Sequence, residues 1–337
     1  MPLVLGVDAG GSKCEALVVD LDGRVRGWGR VTPEDPAAGR SWSGSGRSRE
    51  SVLAAVGRAL AGLDPDLLYV SGLGRWDVPE LLAKVNPGRV EVVPVAEWQA
   101  PLALVGETCG VVALAGTGAF VFGRRRDGRQ LHLDGAGPLL GDWGSGYQIG
   151  AAALRAVVRA TWHERHATVL VETVRQVLGF DVVAQGVGGL VGWVHDPRDR
   201  AEIAILARWV DEAARAGDAV AADIIAGAAG AQAEIVADLV SRLDIAAEPY
   251  ALVAAGSVAT RSALYWRTLS ERVAAFAPNL APIVPAAPQV VGMVLGARQR
   301  LAATGRLTGV LPSAAGLAAQ LARWDDTKPQ PAADATG

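Results

Sequence analysis

Residues 3–25 read LVLGVDAGGSKCEALVVDLDGRV, and residues 110–131 read GVVALAGTGAFVFGRRRDGRQL. Each stretch contains an apolar run, a turn of glycine with serine or threonine, a second apolar run and an Asp-Gly pair. Short Val- and Leu-rich runs bounded by such residues predict β-strands joined by tight turns. Glycines let backbone N–H groups approach phosphate oxygens closely, so two such turns facing each other could grip a polyphosphate from both sides. The duplication therefore predicts an ATP-using enzyme with two related lobes.

The length and the composition limit the class of protein. The chain has 337 residues, of which 50% are hydrophobic and 20% are charged, and its formal net charge is −3. This length favours two domains, and this composition is typical of a soluble globular protein. The small net charge gives no reason to expect a nucleic acid or an anionic membrane as a partner.

Cysteine usage and the N-terminal sequence point to a cytoplasmic enzyme. The two cysteines, Cys14 and Cys109, make neither a disulfide framework nor a four-cysteine metal site. The four histidines lack the spacing of a zinc enzyme. The first residues lack the features of a signal peptide, and the apolar stretches are interrupted before they reach membrane-spanning length.

The order of apolar runs and turn residues predicts a mixed α/β fold. In the first part of the chain, strands are predicted at 3–8, 14–21, 24–31, 67–73 and 90–95, and helices at 51–63, 78–85 and 98–104. The same order restarts at 110–133, and the pattern then becomes mostly helical. The later predictions are helices at 151–165, 201–215, 219–242, 259–276 and 290–304, with strands at 250–255 and 282–284.

These patterns also predict the domain boundaries. We expect an N-terminal lobe at residues 1–107 and a helix-rich C-terminal lobe at residues 108–289. The helix at 290–305 is expected to pack back on the first lobe. Residues 32–49 are rich in Gly, Ser, Pro and Arg and are expected to form a loop. The composition of residues 325–337 is typical of a disordered tail.

The first glycine turn, GVDAGGSK at residues 6–13, differs from the standard phosphate loops. Its Ser and Lys stand in the reverse order of a P-loop, and a strand rather than a helix follows. A β-hairpin that offers backbone N–H groups, a hydroxyl and a positive charge to phosphate fits the pattern better. Its predicted nucleotide-binding residues are Gly10, Gly11, Ser12 and Lys13. Asp8, at the strand end, is predicted to hold Mg²⁺ through water, because Mg²⁺ tends to keep several waters.

The second glycine turn repeats these features. Gly116, Thr117 and Gly118 again supply a hydroxyl and exposed amides. A plain glycine-rich hairpin would explain one copy alone about equally well. Two copies favour the phosphate-binding interpretation.

Four segments in order carry a resemblance to a known family. They are GVDAGGSK at 6–13, ALAGTGA at 113–119, DGAGPLLGDWGSGYQIG at 134–150 and AAGSVA at 254–259. With them, the chain resembles the N-acetylglucosamine kinase and BadF/BadG-type ATPase family of the sugar-kinase/Hsp70/actin superfamily, over roughly residues 3–300.

The resemblance implies a fold and an activity. It implies a two-lobed, actin-like ATPase fold of duplicated ribonuclease H-like domains, with a cleft that closes around ATP and a small sugar. It also implies a homodimer and Mg²⁺-dependent transfer of the γ-phosphoryl group to a sugar hydroxyl. Gly256 and Ser257 would lie near the nucleoside.

The resemblance also assigns residues to the sugar side. Glu97 stands where such kinases have an Asp as general base, and its extra methylene matters because a displacement near 1 Å can cost on the order of 10²-fold in rate. The alternative for Glu97 is a carboxylate that stabilises a helix N-terminus. The predicted substrate-binding residues are Ser71, Gly72, Glu97, Thr117, Gly141 and Asp142. For Asp142 the alternative is a turn-capping aspartate.

The sugar side departs from the family pattern. Residues 32–49 contain no Asn where N-acetylglucosamine kinases have one. Gly135-Ala136-Gly137 replaces a Gly-Trp-Gly step, and Gly141-Asp142-Trp143 replaces Gly-Asp-Glu. The nucleotide half therefore matches the family well, and the acceptor half is altered.

Two other functions stay open at this point. The chain could be an ATPase that drives a partner enzyme, as do the activators of 2-hydroxyacyl-CoA dehydratases, which bind a [4Fe–4S] cluster through two cysteines per chain. Neither Cys14 nor Cys109 resembles those cluster ligands in position. The chain could also be a non-catalytic binder of ATP or sugar, because several acceptor-side residues have changed.

Overall fold

A computed structural model describes residues 1–10, 13–32, 35, 49–74, 76–85, 88–196, 200–307 and 312–327. The described residues form two compact units. One contains the chain up to Gly106 together with the segment that begins at Ala286, and the other extends from Glu107 to Pro285.

The first unit is built on a five-stranded mixed sheet. Its strands are β1 (Pro2–Ala9), β2 (Cys14–Asp20), β3 (Val25–Val31), β4 (Leu67–Ser71) and β5 (Arg89–Val92). They lie in the order β3-β2-β1-β4-β5. The β1–β2 and β2–β3 pairs are antiparallel, and the β1–β4 and β4–β5 pairs are parallel. The helices of this unit are α1 (Arg49–Leu60), α2 (Val78–Leu82), α3 (Gln99–Leu104), α12 (Gln289–Ala303) and α13 (Ala314–Thr327).

Helices cover both faces of this sheet. Side chains alternate between the two faces of a strand, so residues of β1 contribute to two separate core clusters. Leu5 and Val7 belong to one core cluster with Val56 of α1. Val4 belongs to the opposite cluster with Val294 of α12. Gly6 lets α12 pack directly on β1, because a Cβ at Gly6 would lie 2.7 Å from Cγ2 of Val294.

The second unit repeats this sheet topology. Its strands are β6 (Gly110–Ala115), β7 (Ala119–Arg124), β8 (Gln130–Asp134), β9 (Tyr250–Ala255) and β10 (Leu280–Ile283). They lie in the order β10-β9-β6-β7-β8, so that β6 holds the central place that β1 holds in the first sheet. The sequence duplication is therefore also a duplication of strand order and strand direction.

Helices make up most of the rest of the second unit. They are α4 (Gly146–Ala160), α5 (Leu170–Leu178), α6 (Gly188–His195), α7 (Arg200–Ala204), α8 (Leu206–Arg215), α9 (Ala219–Leu243), α10 (Gly256–Arg261) and α11 (Ala263–Ala274). Among the described residues, α9 is the one helix long and apolar enough to cross a membrane. It packs on β7, where a Cβ at Gly123 would lie 2.5 Å from Leu239, and its Val236 is fully buried in the core. These contacts are those of a core helix.

Several elements differ from their sequence-based predictions. Helix α4 begins at Gly146 rather than at 151, because the Ser145 hydroxyl accepts a hydrogen bond from Gln148 N at 3.2 Å and caps its first turn. The helix predicted at 259–276 is two helices, because Ser262 ends α10 and caps α11. Helix α13 extends to Thr327, two residues past the predicted start of the tail. Most of the 32–49 loop and residues 328–337 lie outside the described residues.

Candidate active site

The first glycine turn joins β1 to β2 in the first unit. Gly10 N donates a hydrogen bond to Lys13 O at 2.9 Å, which closes the hairpin. Gly11 and Ser12 lie outside the described residues. Asp8 is half-buried near the end of β1, beside the turn.

A second carboxylate, Glu15, lies next to Asp8. Glu15 pairs with Asp8 across β1 and β2 and with Arg30 across β2 and β3, so these three side chains share one face of the sheet. Glu15 is only 5% exposed. Lys13 donates a hydrogen bond to it, and Arg30 Nε lies 3.9 Å from its Oε1. Glu15 was not among the residues predicted from the sequence, although it is the one charged residue in the apolar run CEALVV.

The second glycine turn joins β6 to β7 in the second unit. Gly116 N donates to Gly118 O at 2.9 Å, and Thr117 at the tip is half-buried. Gly116 O accepts a hydrogen bond from Gly146 N at 2.7 Å, and Thr117 O accepts one from Tyr147 N at 3.3 Å. Helix α4 therefore begins against this turn, and the positive end of its dipole favours negative charge there.

The predicted nucleoside segment meets the same turn. Gly256 has a φ of +78° and begins α10 directly after β9. A Cβ at Gly256 would lie 2.4 Å from Ala115 O, so glycine is needed for this close approach. Ser257 follows it and is exposed.

The segment Asp134–Gly146, which we call the acidic loop, is held by its two aspartates. Asp134 Oδ1 accepts a hydrogen bond from Asp142 N at 2.7 Å, and Asp134 Oδ2 accepts one from Trp143 N at 2.8 Å. Asp134 and Asp142 have φ values of +68° and +58°, a region that non-glycine residues seldom adopt. Gly141 is required beside them, because a Cβ there would lie 2.1 Å from Asp134 Oδ1.

The carboxylate of Asp142 is buried beside the second glycine turn. Asp142 is 4% exposed, and a Cβ at Gly118 would lie 3.1 Å from its Oδ2. Burial raises the pKa of Asp142, and backbone hydrogen bonds from Ala119 and Gly137 and the charge of Arg200 oppose this rise. Arg200 Nη1 lies 3.6 Å from Oδ2 of Asp142.

A buried network of hydrogen bonds holds the acidic loop against the core of the second unit. The hydroxyl of Tyr265, which is fully buried, donates to Gly144 O at 2.9 Å or to Gln232 Oε1 at 3.0 Å. Gln232 Nε2 donates to Leu114 O at 2.7 Å, near the end of β6. The network connects the strand that leads into the second glycine turn with the acidic loop. No sequence pattern predicted the roles of Asp134, Arg200, Gln232 or Tyr265, because each depends on a partner that only the folded path of the chain brings close.

The predicted acceptor-side residues of the first unit lie at the ends of strands. Ser71 is 1% exposed, and its hydroxyl lies 3.1 Å from Met293 O and 3.4 Å from Leu5 O. Gly72 has a φ of +88°, and a Cβ there would lie 1.8 Å from Val7 O. This close approach places the Ser71–Gly72 segment against the strand that carries Asp8.

Glu97 is exposed and precedes α3. Its carbonyl accepts a hydrogen bond from Gln289 Nε2 at 3.2 Å, and the preceding Ala96 N donates to Gln99 Oε1 at 2.8 Å. The start of α3 is thus fixed by glutamine side chains.

Within each unit, several of the predicted residues lie close together. In the second unit, Thr117, Gly118, Asp142 and Gly256 converge on the end of β6. In the first unit, Asp8, Lys13 and Gly72 lie around the end of β1. Among the described residues, no group of three or more His, Cys, Asp or Glu side chains is placed to hold a metal ion. Asp8 and Glu15 still fit Mg²⁺, which is commonly held by one or two carboxylates and by the phosphates of its nucleotide.

The chain belongs to the BadF/BadG/BcrA/BcrD ATPase family, whose model matches residues 5–297. It is 31% identical over 177 residues to the N-acetyl-D-glucosamine kinase of Dictyostelium discoideum, an alignment that covers 52% of this chain and 54% of that protein. It is 26% identical over 270 residues to the N-acetylmuramic acid/N-acetylglucosamine kinase of Clostridium acetobutylicum, covering 77% and 86%. The chain thus matches about half the length of the first relative.

A solved structure supports the same fold. The ROK family glucokinase of Streptomyces griseus, in complex with glucose and AMPPNP, superposes with a TM-score of 0.56 at 19% identity, covering 88% of this chain and 98% of that chain. Both the family predicted from the four motifs and the predicted fold class are confirmed.

Proposed function

We propose that this protein is an ATP-dependent kinase that transfers the γ-phosphoryl group to a hydroxyl of an amino sugar or a related sugar. The observation that carries the proposal is the position of the Asp142 carboxylate, buried 3.1 Å from where a Cβ of Gly118 would lie. A phosphate-binding turn beside a buried carboxylate suits a reaction in which a sugar hydroxyl must be held next to a phosphoryl group.

Asp142 has the chemistry to orient a sugar. An ionised carboxylate offers about four acceptor positions, and the backbone N–H groups of Ala119 and Gly137 use two of them. The remaining positions can accept hydrogen bonds from sugar hydroxyls. Arg200, 3.6 Å from Oδ2, balances the buried charge.

Each unit carries a glycine turn suited to nucleotide phosphate. In the second unit, Gly116, Thr117 and Gly118 lie at the positive end of α4, which favours phosphate. In the first unit, the proposed phosphate-binding residues are Gly10 and Lys13 together with Gly11 and Ser12, which lie outside the described residues, and Asp8 would hold Mg²⁺ through water. When bound, Mg²⁺ neutralises charge on the phosphates.

Glu97 is the proposed general base. The sugar hydroxyl oxygen attacks the γ-phosphorus, the bond from that phosphorus to the oxygen bridging to the β-phosphate breaks, and ADP leaves. The hydroxyl proton passes to the Glu97 carboxylate, a role consistent with its exposed position.

The partner-activating alternative finds less support in the structure. An iron–sulfur cluster shared between subunits needs thiolates near a surface. Cys14 is fully buried in the core of the first unit, and Cys109 lies in the second unit. The homodimer and the cytoplasmic location stay predictions.

A sugar-stimulated ADP-release assay tests the proposal. Purified full-length protein with ATP and Mg²⁺ would be given a panel of hexoses, hexosamines and N-acetylated sugars. We expect at least one amino sugar or N-acetylated sugar to stimulate ADP release well above the sugar-free rate. Stimulation by none of them would contradict the proposal.

A further inference from the structure

We propose that Asp134 is a positioning residue of this kinase, which holds the backbone of Asp142 and Trp143 so that the Asp142 carboxylate is presented beside the second glycine turn. The proposal rests on the proposed function and deepens it. Asp134 would not touch the sugar, and it would act through Asp142.

The hydrogen bonds of Asp134 are suited to this task. Its two oxygens each accept a backbone N–H, from Asp142 at 2.7 Å and from Trp143 at 2.8 Å. Hydrogen bonds to an ionised acceptor are stronger than neutral ones, and two parallel bonds also fix orientation. One carboxylate therefore sets both the position and the direction of the chain at Asp142.

Asp134 is itself carried by a rigid element. It is the last residue of β8 and pairs with Phe120 of β7, two residues after Gly118. The glycine turn and the anchor of the acidic loop are thus attached to the same two strands. This arrangement fixes the distance between Gly118 and the Asp142 carboxylate.

The backbone conformation shows why an anchor is needed. Asp142 has a φ of +58°, and such conformations persist when the surrounding structure enforces them. The two bonds from Asp134 provide this constraint on one side. A second constraint comes from α4, where Gln148 Nε2 donates a hydrogen bond to Pro138 O of the acidic loop at 2.9 Å. Asp134 also lies close to Gly141, where a Cβ would lie 2.1 Å from Oδ1.

The test compares three variants with wild type, by using the best acceptor sugar from the panel. Asp134→Asn keeps the shape of the side chain but has a single oxygen, so it can accept a hydrogen bond from only one of the two backbone N–H groups. Asp134→Ala removes both acceptors. Asp127→Asn is the matched control, because Asp127 also accepts a backbone N–H, from Arg129 at 3.0 Å, but lies in the exposed β7–β8 hairpin. Folding of each variant is checked by thermal unfolding, and Asp134→Asn decides the outcome if Asp134→Ala does not fold.

A positioning role predicts that the variants change the KM for the sugar much more than the KM for ATP. We expect the KM for the sugar to rise at least about tenfold in Asp134→Ala and less in Asp134→Asn, while the KM for ATP changes less than about twofold. Asp127→Asn should match wild type in both. Equal changes in both KM values, or an unchanged sugar KM in a folded Asp134→Asn, would overturn the positioning role alone. Absence of any sugar-stimulated turnover in wild type would overturn the proposed function together with it.

Discussion

The Asp142 carboxylate lies against Gly118 and leaves little room for a side chain there. A Cβ at Gly118 would lie 3.1 Å from Oδ2 and 3.2 Å from Oδ1 of Asp142, so only glycine leaves the carboxylate undisturbed. The contact joins a predicted phosphate-binding residue to a predicted sugar-binding residue.

Gly118→Ala should therefore impair use of the sugar while the protein stays folded. The new methyl group would displace the Asp142 carboxylate, and displacements of this kind lower kcat/KM for the sugar by about tenfold or more. Steady-state kinetics with varied sugar would measure this. Gly227→Ala on α9 is the control, because a Cβ at Gly227 meets nothing within 4 Å; an equal loss in the control would contradict the explanation.

The charge of Asp142 should impose opposite pH dependences on activity and stability. Burial raises the pKa of Asp142 above its ordinary 3.8. A group with a raised folded-state pKa loses its contribution to stability as the pH rises through that pKa. Sugar binding needs the ionised carboxylate, so kcat/KM for the sugar should rise over the same range. Asp142→Asn should remove both trends; unchanged profiles of kcat/KM and of Tm against pH would assign them to another group.

Loss of Glu97 should affect the chemical step and leave stability alone. Glu97 is exposed, so Glu97→Ala should leave the free energy of unfolding nearly unchanged. Removal of a general base typically lowers kcat by about 10²- to 10⁴-fold. Glu107→Ala, at another exposed glutamate, is the control. Undiminished turnover of Glu97→Ala would remove Glu97 from the mechanism.

Lys13→Ala should weaken ATP binding more than sugar binding. The ammonium group of Lys13 donates a hydrogen bond to the buried Glu15, a contact that holds it at the first glycine turn. Its loss removes a positive charge from the predicted phosphate site, so the KM for ATP should rise by about tenfold with little change in the KM for the sugar. An increase confined to the sugar KM would place Lys13 on the acceptor side instead.

Tyr265→Phe should destabilise the second unit. The Tyr265 hydroxyl is fully buried between Gly144 O and Gln232 Oε1. Its removal leaves buried acceptors without a donor, which costs about 1–3 kcal/mol, and urea unfolding monitored by circular dichroism would measure the loss. Tyr147→Phe, at a partly buried tyrosine, should cost less. Equal stabilities of the Tyr265→Phe protein and wild type would show that the network is dispensable.

The sequence was sufficient to predict both sheets' hairpins, because β1–β3 and β6–β8 follow simple alternation between apolar runs and turn residues. It also predicted the turn between β6 and β7, since this turn falls in an ordered motif, while the site roles of the turn and of Asp142 stay predictions. The start of α4 was missed because glycines around Ser145 obscure the cap that begins the helix.

The side-chain contacts that build the candidate site could not be predicted from the sequence. Asp134 acts on an amide eight residues later only because the acidic loop folds back, and Arg200 reaches Asp142 from another helix. The pairing of Asp8 with Glu15 depends on the strand register. Such contacts follow from the three-dimensional path of the chain and leave no periodic pattern.

The proposed reaction transfers a phosphoryl group from ATP to a sugar, and direct detection of the product tests it best. Purified protein would be incubated with ATP, Mg²⁺ and the sugar panel, and the mixtures would be analysed by mass spectrometry for sugar phosphates. We expect a sugar phosphate from an amino sugar or a related sugar in amounts equal to the ADP formed, and far less from Asp142→Asn. ADP formed without any phosphorylated sugar would contradict the account and would identify the protein as an ATPase of another kind.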